Sequence, residues 1–199
     1  MQLLRHVEEP VDAARPARFR AGWRAFHEPV AGVSRRMQLV ARVVPFTVLP
    51  AGVWRLPVAF DEGLGLGERV YVVLLSVLSE VLACTAFGLV ARWGEVFPRW
   101  IPFVGGRQVP TRAAVIPAAL GATTLTLLFT LLIPVSELRG TTIRGDVLSA
   151  DFPSRAGGWE TAWFSFCYAP LILWGPLLAV LTVAYWKRRR AAGNAPGAV

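Results

Sequence analysis

The sequence predicts an all-α membrane protein with four transmembrane helices and both termini in the cytoplasm. Hydrophobic residues make up 54% of the 199 positions and charged residues 17%, a balance typical of polytopic membrane proteins. The charged residues cluster between long apolar runs, and the positive ones flank these runs. Because no basic patch lies on a nucleic-acid-binding motif, we expect no nucleic-acid partner despite the net charge of +8.

The first 38 residues are predicted to form a cytoplasmic segment that is too rich in charge to be a cleaved signal peptide. Phe19, Trp23 and Phe26 recur there at helical spacing, and arginines lie off this apolar stripe. The pattern predicts a short basic amphipathic helix. Such a helix binds an anionic lipid surface or packs on the protein's own loops, and both alternatives require one apolar face.

Four apolar runs are long enough to cross the ~30 Å hydrocarbon core as helices. The first is bracketed by Arg42 and Arg55 and interrupted by three prolines, so we expect a kinked helix packed against protein. The fourth contains Pro170, Gly175 and Pro176, which predict a break or kink midway. The predicted spans cover residues 39–60, 70–91, 113–136 and 161–186, and a basic cytoplasmic tail follows at 187–199.

Two of the connections carry recognisable patterns. Residues 61–69 contain the sequence GLGLGE, which lacks the preceding strand of a dinucleotide-binding motif and predicts a flexible loop. Residues 92–112 alternate arginines with aromatic residues, as membrane-interface anchors do. The alternative is a basic pocket for an anionic lipid head group or an acidic partner. Its candidate residues are Arg92, Arg99, Arg107 and Arg112.

The distribution of positive charge predicts the orientation in the membrane. Of the 21 Lys and Arg residues, five fall in the second half of the first span or on the connections that follow the first and third spans. The other 16, counting Arg42 with the N-terminal segment, fall on the side of the two termini. Because cytoplasmic segments carry the excess of Lys and Arg, both termini are predicted to be cytoplasmic.

Glu80 is the only acidic or basic residue in the second predicted span. A carboxyl group in hydrocarbon costs several kcal/mol if it is unpaired, so by default it faces other helices and marks a functional site or a packing contact. Ser76 is one turn away on the same face. Thr123 and Thr126 of the third span and Trp174 of the fourth are predicted to lie at the same depth, so these residues and Glu80 are candidates for binding a ligand or a proton.

Two interpretations of Glu80 remain open. In the first it is a neutral acid that donates one hydrogen bond to a threonine or to a backbone carbonyl freed by Pro50 or Pro176. In the second it carries a proton or binds a polar ligand in a cavity at the middle of the membrane. Its replacement by glutamine separates the two, because glutamine keeps the hydrogen bond and removes ionisation.

Catalytic and metal-binding patterns are absent from the sequence. His6 and His27 are far apart and no cysteine accompanies them, so no metal site, cofactor or catalytic residue is predicted. Glu80 has no second acid or base in its span. The sequence favours a non-enzymatic accessory or structural subunit that contacts lipid and either a protein partner or a second copy in a homo-oligomer. The alternatives are a small transporter or proton-coupled carrier that uses Glu80, and a membrane enzyme that acts on a lipid.

The runs YVVLLSVLSE, WGEVFPRWIPFVGGRQVP and LWGPLLAVLTVAYWKRRR resemble segments of uncharacterised four-span integral membrane proteins of high-GC actinobacteria. The resemblance covers residues 42–190, and the connection after the second span is its most distinctive part. It implies the four-span architecture and a location in the cell (plasma) membrane. It carries over no functional residues.

Overall fold

The apolar runs form helices in the computed structural model, which describes residues 30, 32–60, 63–96, 103, 105–150 and 152–193. Four helices of 23, 24, 29 and 36 residues within these ranges are long and apolar enough to cross a membrane. No strand forms in the same ranges. The all-α class and the presence of four helices able to span a membrane are therefore confirmed. The amphipathic helix predicted near the N-terminus and the head-group candidate Arg99 lie outside the described residues.

Span 1 is a single helix, α1 (Arg35–Ala59), despite its three internal prolines. One face of α1 carries Ala41, Val44, Val48 and Ala51, which are at most 1% exposed. These residues recur at spacings of three and four and therefore share one side of the helix. Because the alanines at both ends of this row are small, neighbouring helices approach α1 closely, as helices commonly do within a bilayer.

Span 2 begins as α2 (Leu66–Cys84) and ends in a tighter 3₁₀ segment (Thr85–Leu89). The first turn is capped by Glu68, whose carboxylate accepts a hydrogen bond from the backbone N–H of Gly65 at 3.2 Å. With this cap the helix begins earlier than the hydropathy pattern predicts. At 1.5 Å per residue, Glu80 lies about 21 Å from the start of the span and about 14 Å from its end, inside the hydrocarbon core but off its centre.

Span 3 changes its winding inside the membrane. It passes from α3 (Thr111–Leu125) through a π-helical segment (Thr126–Leu132) into α4 (Ile133–Arg139). A π-helical stretch is rare and often accompanies a functional position or a local departure from regular packing. Gly140 follows α4 in the left-handed conformation that commonly ends a helix.

Span 4 also changes its winding. It passes from α5 (Gly158–Tyr168) through a 3₁₀ segment (Ala169–Leu173) into α6 (Trp174–Gly193). The interruption predicted from Pro170 and Pro176 is present and takes this 3₁₀ form. The 3₁₀ segment packs against the π-helical segment of span 3, so the two irregular stretches lie at the same depth.

The four spans pack in the spatial order 2–1–4–3. Span 1 packs along span 2 on one side and along span 4 on the other, and α6 of span 4 packs along α3 of span 3. Leu171, Trp174, Leu181 and Tyr185 of span 4 belong to the buried core that joins these helices. Spans 1 and 4 therefore form the centre of the bundle, and spans 2 and 3 form its flanks.

The bundle has two different ends, because consecutive spans run in opposite directions. The basic end holds the start of span 1, the connection at residues 90–110 and the Lys187–Arg190 run at the end of span 4. The loop end holds the short connection between spans 1 and 2 and the folded connection at residues 140–157. There the hydroxyl of Ser154 donates a hydrogen bond to the carboxylate of Glu137 at 2.9 Å.

Candidate functional site

Glu80 lies half-buried at the edge of the contact between spans 2 and 1. Ser76 and Ala83, on the side of α2 that faces span 1, are buried. Val77 and Cys84, on the other side of Glu80, are exposed. Glu80 is therefore directed along the outer flank of span 2, the surface that the bilayer or another protein contacts. We call the surface formed by Val77, Glu80 and Cys84 the Glu80 flank.

The carboxyl group of Glu80 has no hydrogen-bond or ion-pair partner among the residues that the structure describes. Hydrocarbon supplies no hydrogen bond, so an acidic residue at this depth costs about 2.5–3.5 kcal/mol even on insertion scales. The described bundle therefore leaves this polar group of the membrane core unsatisfied.

The residues predicted to surround Glu80 instead form two separate contacts. The hydroxyl of Ser76 donates to its own helix, at the carbonyl of Val72 (2.9 Å), and Ser76 packs beside Gly52 of span 1. The hydroxyl of Thr126 likewise donates to the carbonyl of Ala122, at 2.7 Å. Neither hydroxyl is thus directed to Glu80.

Thr126 and Trp174 belong to the contact between spans 3 and 4. Thr126 lies directly against Gly175, where a Cβ atom would be 2.4 Å from the backbone nitrogen of Thr126. The Trp174 ring stacks on Phe129 of the π-helical segment, with the ring centroids 6.0 Å apart. Thr123 is exposed on α3. The shared depth predicted for this group therefore does not join its members into one site.

The carbonyl that Pro176 frees does accept a hydrogen bond from a threonine. Pro176 has no N–H to donate to the carbonyl of Ile172, four residues earlier. The hydroxyl of Thr130 in span 3 donates to that carbonyl at 2.7 Å. The carbonyl freed by Pro176, which was predicted as a possible acceptor for Glu80, is thus already bonded to Thr130.

A lateral cleft of about 590 Å³ opens between spans 2 and 3 above α6. Leu82 and Leu120 stand at its mouth and are 51% and 65% exposed, whereas Leu89 and Trp174 in its depth are buried. Because Leu82 follows Glu80 by two residues, the two side chains point about 200° apart around the helix. The cleft and the Glu80 flank therefore lie on different sides of span 2.

Apart from Trp174, the residues that line the cleft were not predicted from the sequence as site residues. The available signal is a row of small residues on one face of α3, namely Ala114, Ala118 and Gly121, all of which line the cleft. In a membrane helix such a row marks a close approach of another chain or ligand. This signal is weak in the present sequence, because alanine and glycine are common throughout the chain.

Two glycines shape the basic end of the cleft. The ring of Trp93 packs over Gly88, where a Cβ atom would be 2.9 Å from the indole. The backbone at Gly94 packs against the carbonyl of Gly88, leaving no room for a side chain at residue 94. Tyr185 of α6 holds this turn through its hydroxyl, which donates to the carbonyl of Gly94 at 3.3 Å.

The arginines of the basic end divide into two groups. Arg188 pairs with Glu95 at 2.8 Å, and Arg189 donates to the carbonyl of Val109 at 2.8 Å, so part of the predicted stop signal holds the connection between spans 2 and 3. The second group is exposed and has no hydrogen-bond or ion-pair partner among the described residues. It includes three of the predicted head-group candidates, Arg92, Arg107 and Arg112.

A second cavity, of about 510 Å³, lies at the loop end between α4, α5 and the connection between them. Its two lining carboxylates already have partners. The carboxylate of Glu137 accepts a hydrogen bond from the hydroxyl of Ser154, and the carboxylate of Asp146 accepts one from the hydroxyl of Thr142 at 3.5 Å. These contacts explain the folded loop without a ligand.

No protein-family model matches the chain, and no match is found among curated proteins or solved structures. The fold and the site define the class of protein as an all-α membrane protein of four apolar spans. One side of its span 2 carries an acid with no partner among the described residues, and another side borders a lateral apolar cleft.

Proposed function

We propose that the protein is a non-enzymatic accessory or structural subunit of the cell membrane, and that a partner's transmembrane helix binds the Glu80 flank. The observation that carries this proposal is the carboxyl group of Glu80, which lies inside a membrane span without a partner among the described residues. A partner helix that supplies one hydrogen bond removes most of the cost of leaving that group in hydrocarbon.

The position of Glu80 favours this role over that of a carrier. A proton or ligand carrier requires its intramembrane acid to face a cavity or a water-filled path. The lateral cleft begins on the side of span 2 that carries Leu82, about 200° around the helix from Glu80. Glu80 instead faces outward beside Val77 and Cys84, which are both exposed.

The chemistry of the acid indicates what the partner helix presents. A protonated carboxyl group both donates and accepts hydrogen bonds. It is complemented by a Ser, Thr, Asn or Gln side chain, or by the same acid on a second copy related by two-fold symmetry. The rest of the Glu80 flank is apolar, so the contact combines helix packing with one polar pair. Such a pair contributes about 0.6–2 kcal/mol in a bilayer.

Cys84 provides a natural probe of this contact, since it is exposed one turn from Glu80 while Cys167 is buried. In native membranes, a thiol-reactive photocrosslinker on Cys84 is expected to join the chain to one partner helix. Replacement of Glu80 by leucine (Glu80→Leu) is expected to lower the crosslink yield about 3- to 30-fold, because one interhelical hydrogen bond is lost. Glu80→Gln keeps that bond and most of the yield. Mass spectrometry then identifies the partner as a second copy or as another protein.

The matched control is Ser79→Ala, because the Ser79 hydroxyl donates to the carbonyl of Ser76 in its own helix at 3.1 Å. Its crosslink yield is expected to equal that of the native chain, and Cys84→Ser must abolish the product. Equal yields from Glu80→Leu and Ser79→Ala would contradict the proposal. If Glu80→Gln abolished proton or solute flux into vesicles and left the crosslink intact, the result would instead favour the carrier alternative.

The proposal places both termini in the cytoplasm, supported by the 16 positive residues on that side of the sequence. Phe103 at the basic end is 94% exposed and Val147 at the loop end is 82% exposed. In a chain whose two cysteines are replaced by serine, Val147→Cys is expected to react with a membrane-impermeant maleimide on intact cells. Phe103→Cys is expected to react only after lysis. The opposite labelling pattern would overturn this orientation.

A further inference from the structure

The lateral cleft is as long as one leaflet of a bilayer is deep. Its lining on α3 runs from Ala114 to Leu125, about 17 Å at 1.5 Å per residue. Half of the hydrocarbon core is about 15 Å. The cleft therefore begins beside Trp93 at the basic end and reaches the middle of the membrane near Trp174.

These dimensions select an acyl chain as the occupant and exclude a transmembrane helix. A helix of a partner protein is about 10 Å wide and needs a groove along the whole ~30 Å core. The cleft covers one leaflet, and its volume lies in the ~300–1,000 Å³ range of small-molecule sites. Its walls are apolar except for two threonines, Thr85 and Thr124, and the hydroxyl of Thr85 donates to the carbonyl of Leu82 at 2.6 Å. An apolar chain is thus the complementary ligand.

The end of the cleft that lies at the basic end of the bundle is positively charged. Arg92 immediately precedes the lining residue Trp93. It is exposed and has no hydrogen-bond or ion-pair partner in the described part of the chain. The nearby acid Glu95 is already paired with Arg188. The charge that remains is complementary to a lipid phosphate.

The cleft is also preformed. Trp93 packs over Gly88, and the turn that follows is fixed by the bond between Tyr185 and Gly94. In the depth of the cleft, the stack of Trp174 on Phe129 fixes the indole that lines it. A ligand that enters such a site does not have to order its walls, which lowers the free-energy cost of binding.

We therefore propose that the lateral cleft binds one acyl chain of an anionic phospholipid from the leaflet at the basic end, with the lipid phosphate against Arg92. This site is independent of the partner contact at the Glu80 flank, because the two lie on different sides of span 2. It uses one of the arginines that the sequence predicted as head-group candidates, and Arg112 lies on the other side of α3 from the cleft.

The test uses the full chain in nanodiscs that contain phosphatidylglycerol with a diazirine near the end of one acyl chain. Photolabelling, mapped by mass spectrometry, is expected within residues 82–89, 114–125 and 174–178. Each arginine near a phosphate favours an anionic lipid by about fivefold. The labelling is therefore expected to exceed that from diazirine phosphatidylcholine by about fivefold; Arg92→Gln should remove this preference and Arg112→Gln should leave it unchanged.

Ala118→Phe and Ala119→Phe form a matched pair, because Ala118 lines the cleft and Ala119 does not. Ala118→Phe is expected to reduce labelling of the three segments at least fivefold, and Ala119→Phe to leave it unchanged. If Ala118→Phe fails to fold, Gly121→Leu replaces it, since a Cβ atom at Gly121 makes only an ordinary 3.8 Å contact with Leu178.

Three results would overturn the proposal. The first is equal labelling of Ala118→Phe and Ala119→Phe, and the second is equal labelling by phosphatidylglycerol and phosphatidylcholine. The third is labelling confined to other surfaces, as expected for nonspecific surrounding lipid. The yield of the Cys84 crosslink is measured on the same variants. It is expected to stay at the native value, so that failure of the lipid site and failure of the partner contact are recorded separately.

Discussion

Replacement of Gly175 by alanine is expected to destabilise the protein by about 3 kcal/mol, at the upper end of the effects of overpacking. The added methyl group would lie 2.4 Å from the backbone nitrogen and 2.4 Å from the hydroxyl oxygen of Thr126. The atoms it meets belong largely to the backbone of another span, so a change of side-chain rotamer cannot relieve the clash. Spans 3 and 4 would have to separate at the depth where Thr130 donates to Ile172. Thermal unfolding of the purified chain in detergent measures the loss.

Gly121→Ala is the matched control for that experiment, since Gly121 also lies in a membrane helix and its new methyl group would meet only Leu178, at 3.8 Å. Alanine is a better helix former than glycine by about 1 kcal/mol. The control is therefore expected to be neutral or slightly stabilising. If Gly175→Ala unfolds at the same temperature as Gly121→Ala, the close contact between spans 3 and 4 is wrong.

Arg188→Met is expected to cost about 2 kcal/mol, less than the 3–5 kcal/mol of a fully buried pair. Arg188 and its partner Glu95 are 17% and 16% exposed and are joined at 2.8 Å. Removal of the guanidinium leaves a largely buried carboxylate without its cation, and it also removes the hydrogen bond to the carbonyl of Leu89. Chemical or thermal unfolding in detergent gives the change in free energy.

A double-mutant cycle shows whether that cost arises from the ion pair. Glu95→Gln keeps an oxygen acceptor for Arg188 and is expected to cost about 1 kcal/mol. The combined variant is expected to be more stable than Arg188→Met alone, with a coupling free energy of about 1–2 kcal/mol. Lys187→Met serves as the control, because Lys187 is exposed and should change stability by less than about 0.5 kcal/mol. Strict additivity of the two substitutions would show that the pair contributes nothing.

The number of spans could be predicted from the sequence because it depends on local properties. Twenty apolar residues without charge have few stable alternatives to a membrane helix. The interruption of span 4 was predictable for a similar reason, since Pro176 cannot donate to Ile172 whatever the surrounding fold. The observed helix ends differ from the predicted ones by several residues, because caps such as the Glu68 carboxylate on Gly65 lie outside the apolar run.

The rotation of each helix could not be predicted in this way. Ser76, Glu80 and the threonines of span 3 lie at similar depths, but the side that each one faces is set by packing between residues far apart in the chain. The order 2–1–4–3 places span 4 between span 1 and span 3 and separates Glu80 from Thr126. Likewise, the Lys187–Arg190 run predicts only the orientation of span 4. Its bonds to Glu95 and Val109 could not be predicted, because they depend on a connection 80 to 93 residues earlier in the sequence.

The central position of span 4 has a consequence for biogenesis. Chains leave the ribosome N-terminus first, so spans 1, 2 and 3 enter the membrane before the helix that joins them has been synthesised. Until α6 arrives, span 3 lacks the surface it packs against and the apolar core around Leu181 and Tyr185 does not exist. Span 3 therefore cannot pack until span 4 has been made, whereas spans 1 and 2 can pack on each other as soon as both are inserted.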